Sequence, residues 1–236
     1  MSFYFKRKKK DHLFIKIIYK IMRVIPVSYK KKLIISLNLE WIFNRLSLEY
    51  SHYFYSDLKH PVRKNFLNFI SNYLEKDFSV LDLGCGSGQN TFLISSIVKN
   101  VIGIDYCKDD IETAKSKYRS KNLSFFCGEA REYLSNCNQK YDVLILSHVL
   151  EHLDEPQDFI EKLKHHFKYV YIEVPDIENT LLPQIKDDLR LDLKYNDPDH
   201  VAEFSRDDLE NIFLKSKLKI LGFEYKFGFL RYWCEI

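Results

Sequence analysis

The chain has 236 residues, 46% hydrophobic and 15% aromatic, enough to bury one substantial core with an appendage and too apolar for a disordered segment. Its five cysteines (85, 107, 127, 137 and 234) are odd in number and form no CxxC pair, which argues for a reduced, cytoplasmic protein and against a structural zinc module. Net charge is +3 but uneven, residues 1–32 carrying +10 and residues 33–236 carrying −7, so an anionic surface or partner is expected at the basic head.

After the KRKKK run (6–10), the stretch DHLFIKIIYKIMRVIP predicts a helix ended by Pro26, with Lys16, Lys20 and Arg23 forming one basic stripe on an apolar surface. It is too short and too charged to cross a bilayer, and its lysines interrupt any secretory signal. Two readings stand. In one, the helix lies on anionic lipid at the inner membrane face. In the other, which is preferred, it packs on the main domain with its lysines in water. Ser28 caps a second helix running toward Tyr50, and SHYFYSD (51–57) reads as an aromatic loop. Pro61 opens the next helix, with Val62, Phe66, Ile70 and Tyr73 at helical spacing. The chain thus divides into a basic helical cap, 1–60, and a main domain, 61–236.

Strand and helix then alternate. Strands are expected at 80–84, 101–105, 123–128, 141–147 and 168–175, with helices near 89–98, 107–119, 129–135 and 155–166. Strands this apolar argue for a parallel sheet covered on both faces. Ser205 and Asp208 form a capping-box signature for a helix over 206–216, and two closing strands meet at Gly228.

The chemistry gathers at the strand ends, where ligands of open parallel sheets sit. VLDLGCGSGQNT (80–91) places Gly84, Gly86 and Gly88 on alternate positions, three of only seven glycines in the chain. Such a turn lets backbone amides approach a ligand closely. Asp82 lies in the strand just before it. Asp105 ends VIGID seventeen residues after Gly88, where a carboxylate can accept from both hydroxyls of a ribose. CGEA (127–130) and SHVLEH (147–152) close the third and fourth strands.

In this order and spacing the motifs resemble those of class I S-adenosylmethionine-dependent methyltransferases, well over 61–175 and in outline elsewhere. The closest general likeness is to small-molecule enzymes of the ubiquinone-biosynthesis and sugar-modifying type. The resemblance implies an α/β, Rossmann-like sheet of seven strands, mostly parallel, ending in an antiparallel hairpin, with a helical N-terminal cap. It implies S-adenosyl-L-methionine as cofactor, held by Asp82, Gly84, Cys85, Gly86, Gly88, Asp105 and Tyr106. Glu129, where Asp is more usual, would reach the adenine amino group, and the Ala130 amide would meet the ring. Ser147 would lie beside the methionine portion and His148 near the transferred methyl.

His148, Glu151 and His152 also spell the inverted zinc-protease order H-x-x-E-H, but the motif begins where a buried strand ends, and no metal is expected. SHVL is neither an N/D-P-P-Y segment nor a Pro-Cys one, which disfavours DNA amine and cytosine C5 methylation; no specific nucleic acid is expected. The segment 176–204 should wall the acceptor site. Its DPDH (197–200), followed by VAEFS, makes His200 the leading general base for a hydroxyl acceptor, with His148 and His152 behind it. The expected activity is methyl transfer to a small-molecule or saccharide acceptor, at oxygen. The rivals are an RNA methyltransferase and a non-catalytic scaffold that keeps the fold.

Overall fold

A computed structural model of the chain describes residues 12–135, 140–193, 197 and 199–236; the KRKKK run, Cys137 and Pro198 lie outside them. The described residues fall into two compact units, divided between Asn44 and Arg45. In chain order the elements are α1 (Leu13–Val24), α2 (Tyr29–Phe54), α3 (Pro61–Ile70), β1 (Ser79–Leu83), α4 (Gln89–Ser95), β2 (Asn100–Asp105), α5 (Lys108–Lys117) and β3 (Leu123–Cys127). They continue with α6 (Ala130–Ser135), β4 (Val143–Ser147), α7 (Pro156–Leu163), β5 (Tyr169–Pro175), α8 (Leu182–Asp188), α9 (Arg206–Lys215), β6 (Lys219–Lys226) and β7 (Phe229–Glu235).

The strands form one seven-stranded sheet in the order β3-β2-β1-β4-β5-β7-β6. All neighbours pair in parallel except β7, which runs antiparallel to both β5 and β6. This is the expected class I methyltransferase fold. The strand order reverses between β1 and β4, which opens a crevice at their carboxyl ends. The central strands are apolar because both faces are covered: Leu81, Leu144, Ile172 and Leu230 enter one core cluster, and Val80, Val143, Ile145 and Tyr171 another. Phe227 (φ 57°) and Gly228 (φ 80°) make the two left-handed residues that a tight hairpin between β6 and β7 requires. Ser205 and Asp208 make the expected capping box on α9.

One local expectation is corrected. Residues 51–54 are not loop but the last turn of α2. No glycine or proline interrupts them, Ser51 Oγ donates to the Leu48 carbonyl at 2.6 Å and sits 2.9 Å from His60 Nε2, and the His52 ring stacks on His60 at 4.3 Å. His60 then caps α3, its Nδ1 accepting from the Val62 amide. In the first unit, α1 ends before Pro26 as expected and buries none of its residues. No helix among the described residues is long and apolar enough to cross a membrane.

Candidate active site

The turn after β1 puts Gly84, Gly86 and Gly88 at φ of 67°, 50° and 82°, a region that side chains avoid. Their surroundings differ. A Cβ on Gly84 would meet Val149 at 2.8 Å, and one on Gly88 would meet Phe125 at 2.7 Å; one on Gly86 would meet nothing within 4 Å. Gly84 and Gly88 therefore serve close packing, while Gly86 faces open space. Two cavities adjoin there, of about 560 and 390 Å³, and Gly84 and His148 line both.

The larger cavity brings together Asp105, Tyr106, Glu129, Ala130 and His148. The Asp105 carboxylate is anchored from behind, one oxygen accepting from the Gly86 amide and the other from the Cys107 amide, both at 2.8 Å. A carboxylate oxygen has more than one lone pair, so both can still accept from a ribose diol. The smaller cavity brings together Asp82, Cys85, Gly86, Ser147 and Arg63 of α3. An acid and a guanidinium facing one cavity suit the ammonium and carboxylate of an amino-acid moiety. The residues thus fit S-adenosylmethionine, nucleoside on one side of the glycine turn and amino acid on the other. Of the expected set, Gly88 lines neither cavity, and neither does His200.

Asp82 is 2% exposed and accepts from Thr91 Oγ1 at 2.6 Å. Burial pushes its carboxyl up to about 7, against the Thr91 hydrogen bond and the charge of Arg63. Since an unfolded carboxyl titrates near 3.8, folding takes up a proton between those values, and this group's contribution to stability falls as pH rises from about 4 to about 7. Asp82→Asn is therefore expected to gain melting temperature over the native protein progressively across that interval and to hold the gain above it. A difference that stays constant with pH would show Asp82 to be ionised throughout.

Beyond β4 lies a buried polar row that the sequence reading missed. Register aligns Ser147 of β4 with Glu173 of β5, Glu173 with Arg231 of β7, and Arg231 with Glu224 of β6. Glu173 is 1% exposed and accepts from Ser147 Oγ at 3.0 Å, from the Tyr171 hydroxyl at 2.9 Å and from Arg231 Nε. Burial alone would raise its pKa, but His148 and Arg231 hold it down to about 2. The signal was present: Glu173 and Arg231 are charges inside otherwise apolar strands, and buried charges need partners.

His148 follows β4 with φ 57°, an uncommon conformation for a residue with a side chain. Its amide donates to the Glu173 carbonyl at 2.8 Å. Its ring lies between two buried carboxylates, with Nδ1 3.0 Å from Glu151 and Nε2 3.5 Å from Glu173, and is 35% exposed through the cavities. Burial would lower its pKa, yet Glu151 and Glu173 raise it to about 9. At neutral pH His148 is an imidazolium, a hydrogen-bond donor and not a base.

The H-x-x-E-H motif finds no regular helix, since Glu151 and His152 sit on a 3-10 turn, Leu150–His152. His152 lines the larger cavity, and the His200 ring meets its edge at 5.0 Å. His200 is itself almost buried, with Nδ1 3.2 Å from Glu203 Oε1. The segment 176–204 also borders a separate cavity of about 540 Å³, lined by Ile177, Leu181, Gln184 and Glu203.

Comparison with known proteins bears on the whole arrangement. The family described as a methyltransferase domain matches residues 51–221. The ubiquinone biosynthesis O-methyltransferase of Rickettsia typhi is 37% identical over 90 residues, 38% of this chain and 36% of that protein. The malonyl-[acyl-carrier protein] O-methyltransferase of Bacillus anthracis is 26% identical over 132 residues, 52% of this chain and 46% of that protein. The chain thus matches less than half the length of these two proteins. A SAM-dependent methyltransferase from Archaeoglobus fulgidus shares the fold, with a TM-score of 0.58 and 21% identity over 74% of this chain and 93% of that one.

Proposed function

Because the chain belongs to the methyltransferase-domain family, we propose that its main domain, 61–236, transfers a methyl group from S-adenosylmethionine to a hydroxyl oxygen of a small-molecule or saccharide acceptor. The observation that carries this reading is the open space at Gly86 together with the anchored Asp105 carboxylate beside it. A scaffold that had lost catalysis would need neither. Oxygen as the acceptor atom is supported by the O-methyltransferases among its relatives. When bound, S-adenosylmethionine supplies a sulfonium-activated methyl. Asp105 and the glycine turn orient the nucleoside, with Glu129 and Ala130 at the base, while Asp82 and Arg63 orient the amino-acid end. His148 and the Ser147–Glu173–Arg231 row fix the edge of β4 between the two cavities. Alignment of this kind supplies most of the catalysis of an in-line displacement. The acceptor hydroxyl must also lose its proton, and we assign its activation to His200.

Calorimetric titration with S-adenosylmethionine, followed by an acceptor screen that begins with nucleotide-linked sugars and glycan precursors, tests the reading. Absence of cofactor binding would favour the scaffold instead. RNA binding with a steep salt dependence would favour an RNA acceptor.

A second reading concerns α1, where Phe14, Ile17, Ile21 and Val24 are all exposed beside the basic stripe. These residues favour contact with an anionic membrane surface made by the apolar face more than by charge. Deleting residues 1–12 is expected to leave cofactor binding unchanged and to cost little vesicle sedimentation at physiological salt, where polybasic attraction is screened. Ile17→Glu with Ile21→Glu should abolish that sedimentation. Unchanged sedimentation of the double variant would remove α1 from any membrane contact.

A further inference from the structure

Glu151 and His152 on the turn after β4, and His200 on the segment before α9, converge from positions about fifty residues apart. Their potential ligand atoms all lie within 4.8 Å of one another. Two backbone bonds lock the segments together, the Val201 and Ala202 amides both donating to the Glu151 carbonyl, at 3.0 and 3.1 Å. The hydrogen bonds then settle which atoms point inward. His152 Nδ1 is 3.2 Å from the Asp199 carbonyl, which can only accept, so Nδ1 carries the proton and Nε2 keeps its lone pair. His200 Nδ1 is 3.2 Å from the Glu203 carboxylate, which imposes the same tautomer. Neither Nε2 has a hydrogen-bond partner among the described residues.

The third member carries an independent signal. Glu151 is 0% exposed; its Oε1 meets His148, but its Oε2 has no hydrogen-bond partner among the described residues. A fully buried carboxylate oxygen left bare is costly and calls for an explanation such as an absent ion. A carboxylate or a carbonyl behind each ligating imidazole is also the usual outer support of a metal site.

We infer that Glu151, His152 and His200 form a binding site for a first-row divalent cation, which activates the acceptor hydroxyl; this rests on the methyl-transfer reading above. Two imidazoles and one carboxylate suit zinc, cobalt, manganese or iron(II) rather than magnesium or calcium, which prefer all-oxygen sets. Ligands about 2.1 Å from one ion lie closer together than 4.8 Å, so the three side chains draw inward on binding. Three protein ligands leave a coordination position open, and His152 borders the cavity that His148 shares. A hydroxyl in that position loses its proton to water near neutral pH. Its oxygen then forms the new bond to the methyl carbon as the carbon–sulfur bond breaks, and that electron pair stays on sulfur as a neutral thioether. His200 thus activates the hydroxyl as a ligand, and the His148 ring holds the other oxygen of Glu151, its Nδ1 3.0 Å from Oε1.

The test is titration of the chelator-treated full-length chain with Co²⁺, read by visible absorption, beside calorimetry with S-adenosylmethionine on the same preparation. The expected result is one saturable site, displaced by Zn²⁺ and weakened at least tenfold in Glu151→Gln, His152→Ala and His200→Ala. Glu203→Gln should weaken it about 10–100-fold by releasing the His200 ring. A control, His165→Ala with His166→Ala, should bind as the native chain does. No saturable Co²⁺ binding, or binding indifferent to the three ligand variants, overturns the site even if S-adenosylmethionine binds. Co²⁺ binding without S-adenosylmethionine binding overturns the methyl-transfer reading and leaves the metal site standing.

Discussion

His200→Ala is expected to lower turnover by about 10²–10⁴-fold while S-adenosylmethionine binds as before, the range typical when a positioned group that activates a reacting hydroxyl is lost. The separation follows from geometry, because His200 lines neither cavity assigned to the cofactor and meets the larger one only through His152. His148→Ala is the informative partner. His148 is held as an imidazolium by Glu151 and Glu173, so its loss should act on alignment and on the buried carboxylates rather than on proton removal. Both variants are measured against one acceptor, with melting curves alongside. Added divalent cation should restore part of the His200→Ala loss if the residue is a ligand and none of it if it is a base. Should neither variant lose more than a few-fold, the hydroxyl is not activated here and the oxygen-acceptor reading loses its main support.

What could be read in advance depended on how local the cause was. The four inner parallel strands, β1, β2, β4 and β5, were legible because a strand covered on both faces must be largely apolar, and the glycine turn because three left-handed positions demand glycine within five residues. Ser205 and Asp208 announced their helix because a capping box lies within four consecutive residues. Glu173 and Arg231 were legible only as lone charges in apolar strands, and their pairing was not. Its partners are 58 residues apart and meet only through the antiparallel register of β5 and β7, which no local pattern encodes. Arg63 was passed over because it stands on the same helix face as Phe66 and Ile70, which was read only for its apolar stripe, whereas its guanidinium reaches Asn90 Oδ1 at 3.2 Å. The H-x-x-E-H spacing was set aside because it begins where a buried strand ends, and the unpartnered oxygen of Glu151 becomes visible only once side chains are placed.

Gly86→Val should abolish S-adenosylmethionine binding, and Asp105→Ala should weaken it without unfolding the chain. The two act on one hydrogen-bonded unit, since Asp105 accepts from the Gly86 amide. A valine at Gly86 meets two obstacles. Its side chain would project into the open space that the cofactor is proposed to fill, and its backbone would have to adopt φ 50°, which a β-branched residue resists. Gly86→Ala separates them: it carries most of the backbone strain with little bulk, so a milder binding defect at a similar melting temperature isolates the steric effect. Asp105→Ala removes a charged acceptor from a ribose diol, worth about 1.5–3 kcal/mol for each hydrogen bond lost, or roughly 10–150-fold in affinity. It also frees the Gly86 and Cys107 amides, which would loosen the turn. Asp105→Asn keeps one oxygen acceptor and should fall between the two. Equal affinity for native chain and Asp105→Ala would remove Asp105 from the site, and normal binding by Gly86→Val would mean that the turn cradles no ligand.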